Sequence, residues 1–196
     1  RINAINNVKL DAGNVINHGY IYNAAVFKEN DIELGDVVNL NILESGSSIA
    51  INNGEIVIKS ENNFINKGAI VADGGNNVDA GNVNITAKNN ITLKENSLIS
   101  AKGKGENSSG GNIYIYADNN SYFNENAVID ARGGDISGDG GFIELSAANE
   151  VIIGGQFKAS PIEGSLGTIF IDPVTLTIDT DQILPGIDII WTADET

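Results

Sequence analysis

The chain has 196 residues, with 26 acidic against 11 basic side chains for a formal charge of −15, no Cys, no Met, 23 Gly and one His. That balance argues against a nucleic-acid binder, which needs clustered Lys and Arg at its phosphate contacts, and equally against an anionic membrane surface; the missing cysteines exclude a disulfide framework and any thiolate ligand or nucleophile. Only 6% of residues are aromatic, Ile is the commonest apolar residue and Asn fills near one position in seven, a set of weak helix formers that excludes an α-helical bundle.

No apolar run approaches the length of a membrane span, and no charged-then-apolar leader opens the chain. It begins at Arg1 and reads as an interior piece of a longer or processed product, with any targeting signal upstream. Residues 1–53 read as degenerate coils, with loops expected at Asp31–Gly35 and Ser45–Ser48. One unit there, NVINHGYI from Asn14 to Ile21, returns as NFINKGAI from Asn63 to Ile70.

From residue 54 the repeat becomes regular. A loose copy, GEIVIKSENNFINKGAIVADGG, starts at Gly54; GNVNITAKNNITLKENSLISAKG starts at Gly81, GNIYIYADNNSYFNENAVIDARG at Gly111 and GFIELSAANEVIIGGQFKA at Gly141. The last three begin 30 residues apart, and the final copy is short by two residues. Inside each copy the period is two: Val83 and Ile85 alternate with Asn84 and Thr86, Ile113 and Ile115 with Tyr114 and Tyr116, Ile143 and Leu145 with Glu144 and Ser146. Such alternation predicts short strands with one buried face. Turns are expected at Lys88-Asn89-Asn90, Asp118-Asn119-Asn120 and Ala148-Asn149-Glu150. A second strand follows (Ile91–Leu93, Val151–Ile153), then a third (Leu98–Ala101, Val128–Ala131).

Three strands and three corners per repeat describe one coil of a right-handed parallel β-helix, an all-β solenoid in which no coil is stable alone. Seven to eight coils are expected, a rod of roughly 35 Å at the sheet spacing. A flat β-sandwich fits less well, having no reason to repeat at this period. Asn at the corners tolerates left-handed backbone and can ladder its amide onto the next coil. The pairs Gly74-Gly75, Gly110-Gly111, Gly133-Gly134 and Gly140-Gly141 are expected at positive φ. Gly103–Gly111 and Gly133–Gly141 are expected to loop out of the body. One domain spans 1–196: degenerate coils over 1–53, regular coils over 54–167, and over 168–196 a GT-x-x-x-DP element with the coil after it.

Chemical candidates are few. His18 aligns with Lys67 in an exposed turn, where no partner or pocket equips it as a base. Polysaccharide-cleaving enzymes on this fold need paired carboxylates; Asp130, Arg132, Glu144 and Asp172 could share a face, yet after Gly133 there are eleven acids and Lys158 is the sole base. Acids that keep a repetitive sheet soluble are the simpler account. GGDISGDGG from Gly133 to Gly141 has the Gly and Asp of a calcium coil but occurs once, so a flexible loop is expected there. No Gly-rich loop leads into a helix to cradle phosphate, and Thr175-Leu176-Thr177 is the one Thr-x-Thr unit, where an ice-binding array needs one per coil. No cofactor and no metal are expected. The outward side is more informative: with Ile113 and Ile115 inward, Tyr114 and Tyr116 point out, Glu144 lies on the next coil and Phe170 beside it on the one after. An exposed aromatic cluster on a rigid sheet is a candidate contact face for a glycan or protein.

Gly140-Gly-Phe-Ile-Glu-Leu-Ser-Ala147 resembles the GGFVETSG element of filamentous-haemagglutinin-like exoproteins, and Gly167-Thr-Ile-Phe-Ile-Asp-Pro173 with Val174-Thr-Leu-Thr-Ile178 resembles their GTWLLDP-x-x-ITI element. Ile183 to Ala193 is similar, more weakly, to the coil that follows there. The match covers about a quarter of the chain. It departs at Ile169 and Phe170, where the family has Trp and Leu, and the Asn-Pro motifs of the family's secretion domain are missing, the prolines being Pro161, Pro173 and Pro185.

The resemblance implies a large adhesin carried across a Gram-negative outer membrane by a dedicated partner transporter, acting in attachment, aggregation or contact-dependent competition. This stretch would be shaft or adhesin body, secreted or held at the bacterial cell surface, with Gly140, Gly141, Asp172 and Pro173 as structural residues and no catalysis. Expected partners are a host-cell or neighbouring-cell receptor, a glycan or a matrix protein, without membrane insertion. Two other readings stay open: a filament subunit associating end to end through exposed coil edges, and a polysaccharide-acting β-helix enzyme.

Overall fold

Alternating Ile and Val with polar residues gives the coils strands that run from three residues up to the twelve of Phe142–Ile153, and a parallel partner one repeat away satisfies their backbone groups. The computed structural model describes residues 55–178 in full, and outside them the strand backbone at Ile2–Ala4, Leu10–Asn17, Ile21–Asn23, Glu29–Asn39, Ile42–Ser45 and Asp188–Trp191. In chain order the strands are β1 (Ile2–Ala4), β2 (Leu10–Asn17), β3 (Ile21–Asn23), β4 (Glu29–Asn39), β5 (Ile42–Ser45), β6 (Glu55–Ser60), β7 (Phe64–Asn66), β8 (Ala69–Val71), β9 (Asn82–Ala87), β10 (Ile91–Leu93), β11 (Leu98–Ser100), β12 (Asn112–Ala117), β13 (Asn120–Phe123), β14 (Val128–Asp130), β15 (Phe142–Ile153), β16 (Gln156–Lys158), β17 (Thr168–Ile178) and β18 (Asp188–Trp191). No helix occurs among the described residues.

The strands form two parallel sheets. A seven-stranded sheet runs β1-β3-β5-β8-β11-β14-β16 and collects the third strand of each coil. The first and second strands share an eleven-stranded sheet, because the long β4 and β15 each pair with two successive strands around a corner. The fold is therefore an all-β parallel solenoid, as the alternation implies. Residues 55–178 make about four turns, fewer than the seven to eight coils expected. The larger number included rungs in 1–54 and 179–196, where only six strand backbones are described.

The two inward columns of the first strands are stacks of like residues. Ile56, Val83, Ile113, Ile143 and Ile169 are in register, as are Ile58, Ile85, Ile115, Leu145 and Ile171, and all ten are buried. Stacking at about 4.8 Å lets each side chain cover those above and below, each contributing about 1.5–3 kcal/mol on burial. Phe123 and Phe157 close the interior with ring centroids 4.9 Å apart in an edge-on arrangement. Ala87, Ala117 and Ala147 line one corner, and Pro173 takes the same column on the next rung, buried like them.

The asparagines perform two tasks, and Asn77 and Asn107 perform both, Asn107 Nδ2 donating to Asn77 Oδ1 at 3.2 Å. Asn77, Asn96, Asn107 and Asn126 hold left-handed backbone, at φ of 55°, 61°, 46° and 57°. Asn62, Asn63, Asn89, Asn90, Asn119, Asn120 and Asn149 instead ladder across the first corner. There Asn90 Nδ2 donates to Asn63 Oδ1 at 3.2 Å, Asn119 Nδ2 to Asn90 Oδ1 at 3.0 Å and Asn149 Nδ2 to Asn120 Oδ1 at 2.9 Å. Asn90 Oδ1 also accepts the Asn120 amide N–H at 3.3 Å. Asn90→Ala removes all three of its ladder bonds and is expected to lower stability by about 2 kcal/mol; urea titration of the two proteins measures it. Asn90→Asp retains the two bonds that Oδ1 accepts and loses the one that Nδ2 donates, so a smaller loss is expected there.

Several expectations are corrected. Asp31–Gly35 is not a loop but lies inside β4, where Ile32 and Leu34 continue the alternation that the flanking acids disguised. Ser45 ends β5, and the rest of that expected loop, with His18, lies outside the described residues. Ala148-Asn149-Glu150 is not a separate turn; β15 runs through it with a register shift against β17. The glycine pairs are not at positive φ: among the described glycines that backbone occurs at Gly105, Gly138 and Gly164. The paired glycines are needed for close approach instead. A Cβ on Gly111 would stand 1.8 Å from the Gly81 carbonyl oxygen, and one on Gly141 would stand 2.0 Å from that of Gly111.

The loops Gly103–Gly111 and Gly133–Gly141 do not leave the body either. They stack: Asp79 Oδ1 accepts the Ser109 N–H at 2.7 Å, Ser109 Oγ accepts that of Asp139 at 3.3 Å, and Asp139 Oδ1 accepts that of Ser165 at 2.7 Å. Ser137 backs this ladder, its carbonyl accepting the Ser108 N–H at 3.2 Å and its Oγ the Asn107 N–H at 3.0 Å. Polar Gly-Ser-Asp sequence here builds another polar column of the solenoid, because each loop has a copy of itself one rung away to bond.

Candidate contact face

The outward side of β9, β12, β15 and β17 is a grid fixed by register. One column reads Asn84, Tyr114, Glu144, Phe170; the next reads Thr86, Tyr116, Ser146, Asp172; the column on the other side reads Asn82, Asn112, Phe142, Thr168. Rungs lie about 4.8 Å apart and alternate residues along a strand about 6.6 Å apart. Tyr114 and Tyr116 are 38% and 41% exposed, the most exposed aromatic side chains of the fully described stretch, while Glu144, Phe170 and Asp172 are half-buried.

Phe142 is the residue that sequence reading missed. Its ring meets Tyr114 with centroids 5.5 Å apart and planes at 42°, a tilted contact of the kind aromatic quadrupoles favour. The signal was present, since alternation with inward Ile143 places Phe142 on the same side as Glu144. Three rings, Tyr116, Tyr114 and Phe142, thus run diagonally over two rungs, with Phe170 on the third. The Asn82–Asn112 amide pair at 3.1 Å borders the face on one side.

The carboxylates expected to share a face are divided. Asp130 and Arg132 belong to the seven-stranded side, where the Arg132 guanidinium forks onto Asp130 with Nε–Oδ1 at 2.9 Å and Nη2–Oδ2 at 2.7 Å. That hydrogen bond, with the adjoining negative charge, holds the Arg132 proton above its ordinary affinity. Lys102 binds Asp135 at 2.5 Å and Lys104 binds Asp73 at 2.9 Å beside it, so this acid cluster is a closed network of ion pairs. The hydrogen bond and charge from Lys102 hold the Asp135 carboxyl below the usual carboxylate range. Its contribution is present above the unfolded-state pKa and lost as pH falls through the folded one; it is small, because Asp135 is exposed.

Glu144 and Asp172 lie on the aromatic face. Glu144 Oε1 accepts the Ser146 hydroxyl at 3.0 Å, and among the described residues neither carboxylate has an ion-pair partner. No group of three or more His, Cys, Asp or Glu there is arranged to hold a metal ion, and no helix there is long and apolar enough to cross a membrane. In the Gly133–Gly141 loop both carboxylates are engaged, Asp135 by Lys102 and Asp139 by the Ser165 amide. Gly140 and Gly141 sit where a Cβ would strike the Ala159 and Gly111 carbonyl oxygens, at 1.9 and 2.0 Å. Asp172 and Pro173 carry β17 from the outward face into the corner.

No protein-family model, curated protein or solved structure matches the chain.

Proposed function

We propose that the chain is a non-enzymatic adhesin segment of a large secreted or surface-displayed bacterial exoprotein, acting in attachment, aggregation or cell contact. The observation that carries the reading is the exposed Tyr114–Tyr116 pair on a flat sheet. Beneath it the strands are held by stacked Ile columns and amide ladders. Aromatic rings on a rigid surface offer large contact area with little ordering entropy left to lose on binding. The same proposal includes the fuller form of the fold: a right-handed winding, the hand that parallel crossovers take, continued through the flanking residues to seven or eight coils. The filamentous-haemagglutinin-like elements at Gly140–Ala147 and Gly167–Ile178 support placing the segment in a shaft delivered by an outer-membrane partner transporter.

The test is a glycan and extracellular-matrix array probed with the chain and with Tyr114→Ala/Tyr116→Ala. Binding that falls at least tenfold in a variant with an unchanged circular-dichroism spectrum is the expected result. Binding that is equal in both proteins removes the tyrosine face from the function, and depolymerisation of any arrayed polysaccharide would overturn the non-enzymatic reading.

A further inference from the structure

A contact face selects partners by its charge as well as its area. On this one the three rings Tyr114, Tyr116 and Phe142 share their outward grid with Glu144 and Asp172. Glu144 is one rung from Tyr114 in the same column and one rung diagonally from Tyr116. Asp172 is one rung beyond Ser146 in the Tyr116 column. The nearest cation in these columns is Lys59, two rungs from Tyr116 on the side away from Glu144. The chain as a whole carries −15.

We infer that this face takes a positively charged group, an Arg or Lys side chain in a basic segment of a partner protein, seated against the Tyr114 and Tyr116 rings with Glu144 as its counter-ion. The inference rests on the face being a contact surface and adds the chemistry of what it contacts. A cation is attracted to a Tyr face within about 6 Å of the ring centroid. The rung spacing of about 4.8 Å brings a group held there within reach of the Glu144 carboxylate. Each element alone is weak at a surface: an exposed ion pair contributes little, and an exposed cation–π contact only slightly more. Together, on strands already fixed, they act on one group without further ordering. Sulfated, sialylated or uronic-acid glycans meet the opposite condition, since two carboxylates border the rings and the surrounding field is negative.

The experiment is fluorescence anisotropy of a labelled octa-arginine peptide titrated with the whole chain at low and at physiological salt. It is repeated with Tyr114→Ala/Tyr116→Ala, Tyr114→Phe/Tyr116→Phe, Glu144→Gln and Glu163→Gln, the last being an exposed loop carboxylate away from the face. The alanine pair keeps the net charge and is expected to weaken binding on the order of tenfold. The phenylalanine pair retains the rings and is expected to bind like the unaltered chain. Glu144→Gln is expected to weaken binding several-fold and Glu163→Gln not at all. Equal binding by the alanine pair, or equal loss in the two Gln variants, would reduce the attraction to bulk charge and overturn the inference. Tyrosine-dependent array binding to a neutral glycan, with no tyrosine-dependent peptide binding, would overturn the cationic partner and leave the adhesin reading standing. Concentration-dependent association of the chain with itself through Tyr114 and Tyr116 would replace the basic partner with a second copy.

Discussion

Gly111→Ala is expected to cost about 3 kcal/mol or more, an unusually large effect for one methyl group. The added Cβ would stand 1.8 Å from the Gly81 carbonyl oxygen, 2.9 Å from its carbonyl carbon and 3.2 Å from the Ala101 side chain. The first two contacts are backbone, which cannot rotate aside. Relief requires the rung to separate at Gly111, where the Gly111 N–H bonds the Ala101 carbonyl at 2.8 Å and the Gly111 carbonyl accepts the Phe142 N–H at 3.1 Å. Overpacking of this kind costs about 1–3 kcal/mol where side chains can yield, and more where the neighbour is main chain. Gly141→Ala repeats the insult one rung on, against the Gly111 oxygen at 2.0 Å, and is expected to lose a similar amount. Thermal denaturation followed by circular dichroism measures both; a fall in Tm below 2 °C for either would show that the rungs separate more easily than this geometry implies.

Ile115→Ala is expected to destabilise by about 3–4 kcal/mol, within the range for large-to-small changes in a packed interior. Ile115 is fully buried between Ile85 and Leu145 in its column, so the cavity has rigid walls above and below. Stability in a solenoid is a sum of rung and nearest-neighbour terms, which fixes how pairs of such changes combine. Ile85→Ala/Ile115→Ala should depart from additivity, since the two cavities share a wall. Ile58→Ala/Ile143→Ala, taken from separate columns and rungs not in contact, should be additive within about 0.5 kcal/mol. Urea titration of the unaltered chain, the four single variants and the two doubles is the measurement, and full additivity of the adjacent pair would argue that each rung packs independently.

Much of the fold was legible because alternation is a local signal. Ile113-Tyr114-Ile115-Tyr116 states both the strand and its inward face, and the recurrence at Gly81, Gly111 and Gly141 states that the strands stack in parallel. What stayed illegible depends on the neighbouring rung. Gly110-Gly111 and Gly140-Gly141 suggest turn geometry by composition, whereas the requirement for glycine comes from a carbonyl one coil away. The Gly-Ser-Asp loops suggest flexibility by composition, whereas the recurrence of Asp79, Ser109 and Asp139 at the repeat spacing supplies the bonding partners. Asp31–Gly35 suggests a loop by charge, whereas strand pairing on both sides holds it extended. Of the contact face, Tyr114, Tyr116, Glu144 and Phe170 followed from parity. Phe142 needed the same parity applied one residue earlier. Asp130 and Arg132 could be separated from Glu144 and Asp172 only once the third strand was known to lie in its own sheet.

The parallel rungs also determine how such a segment would behave when pulled. Strands run across the solenoid axis, so a load along that axis lies along the backbone hydrogen bonds between rungs and opens them in sequence, as in peeling, instead of shearing many at once. A 30-residue turn, such as the one from Ile113 to Ile143, contributes a rise of about 4.8 Å while wound and roughly 100 Å when drawn out as extended chain. A cell tethered through this segment would therefore experience a line that pays out length at modest tension, turn by turn, and that can rewind from the remaining coils when the load drops.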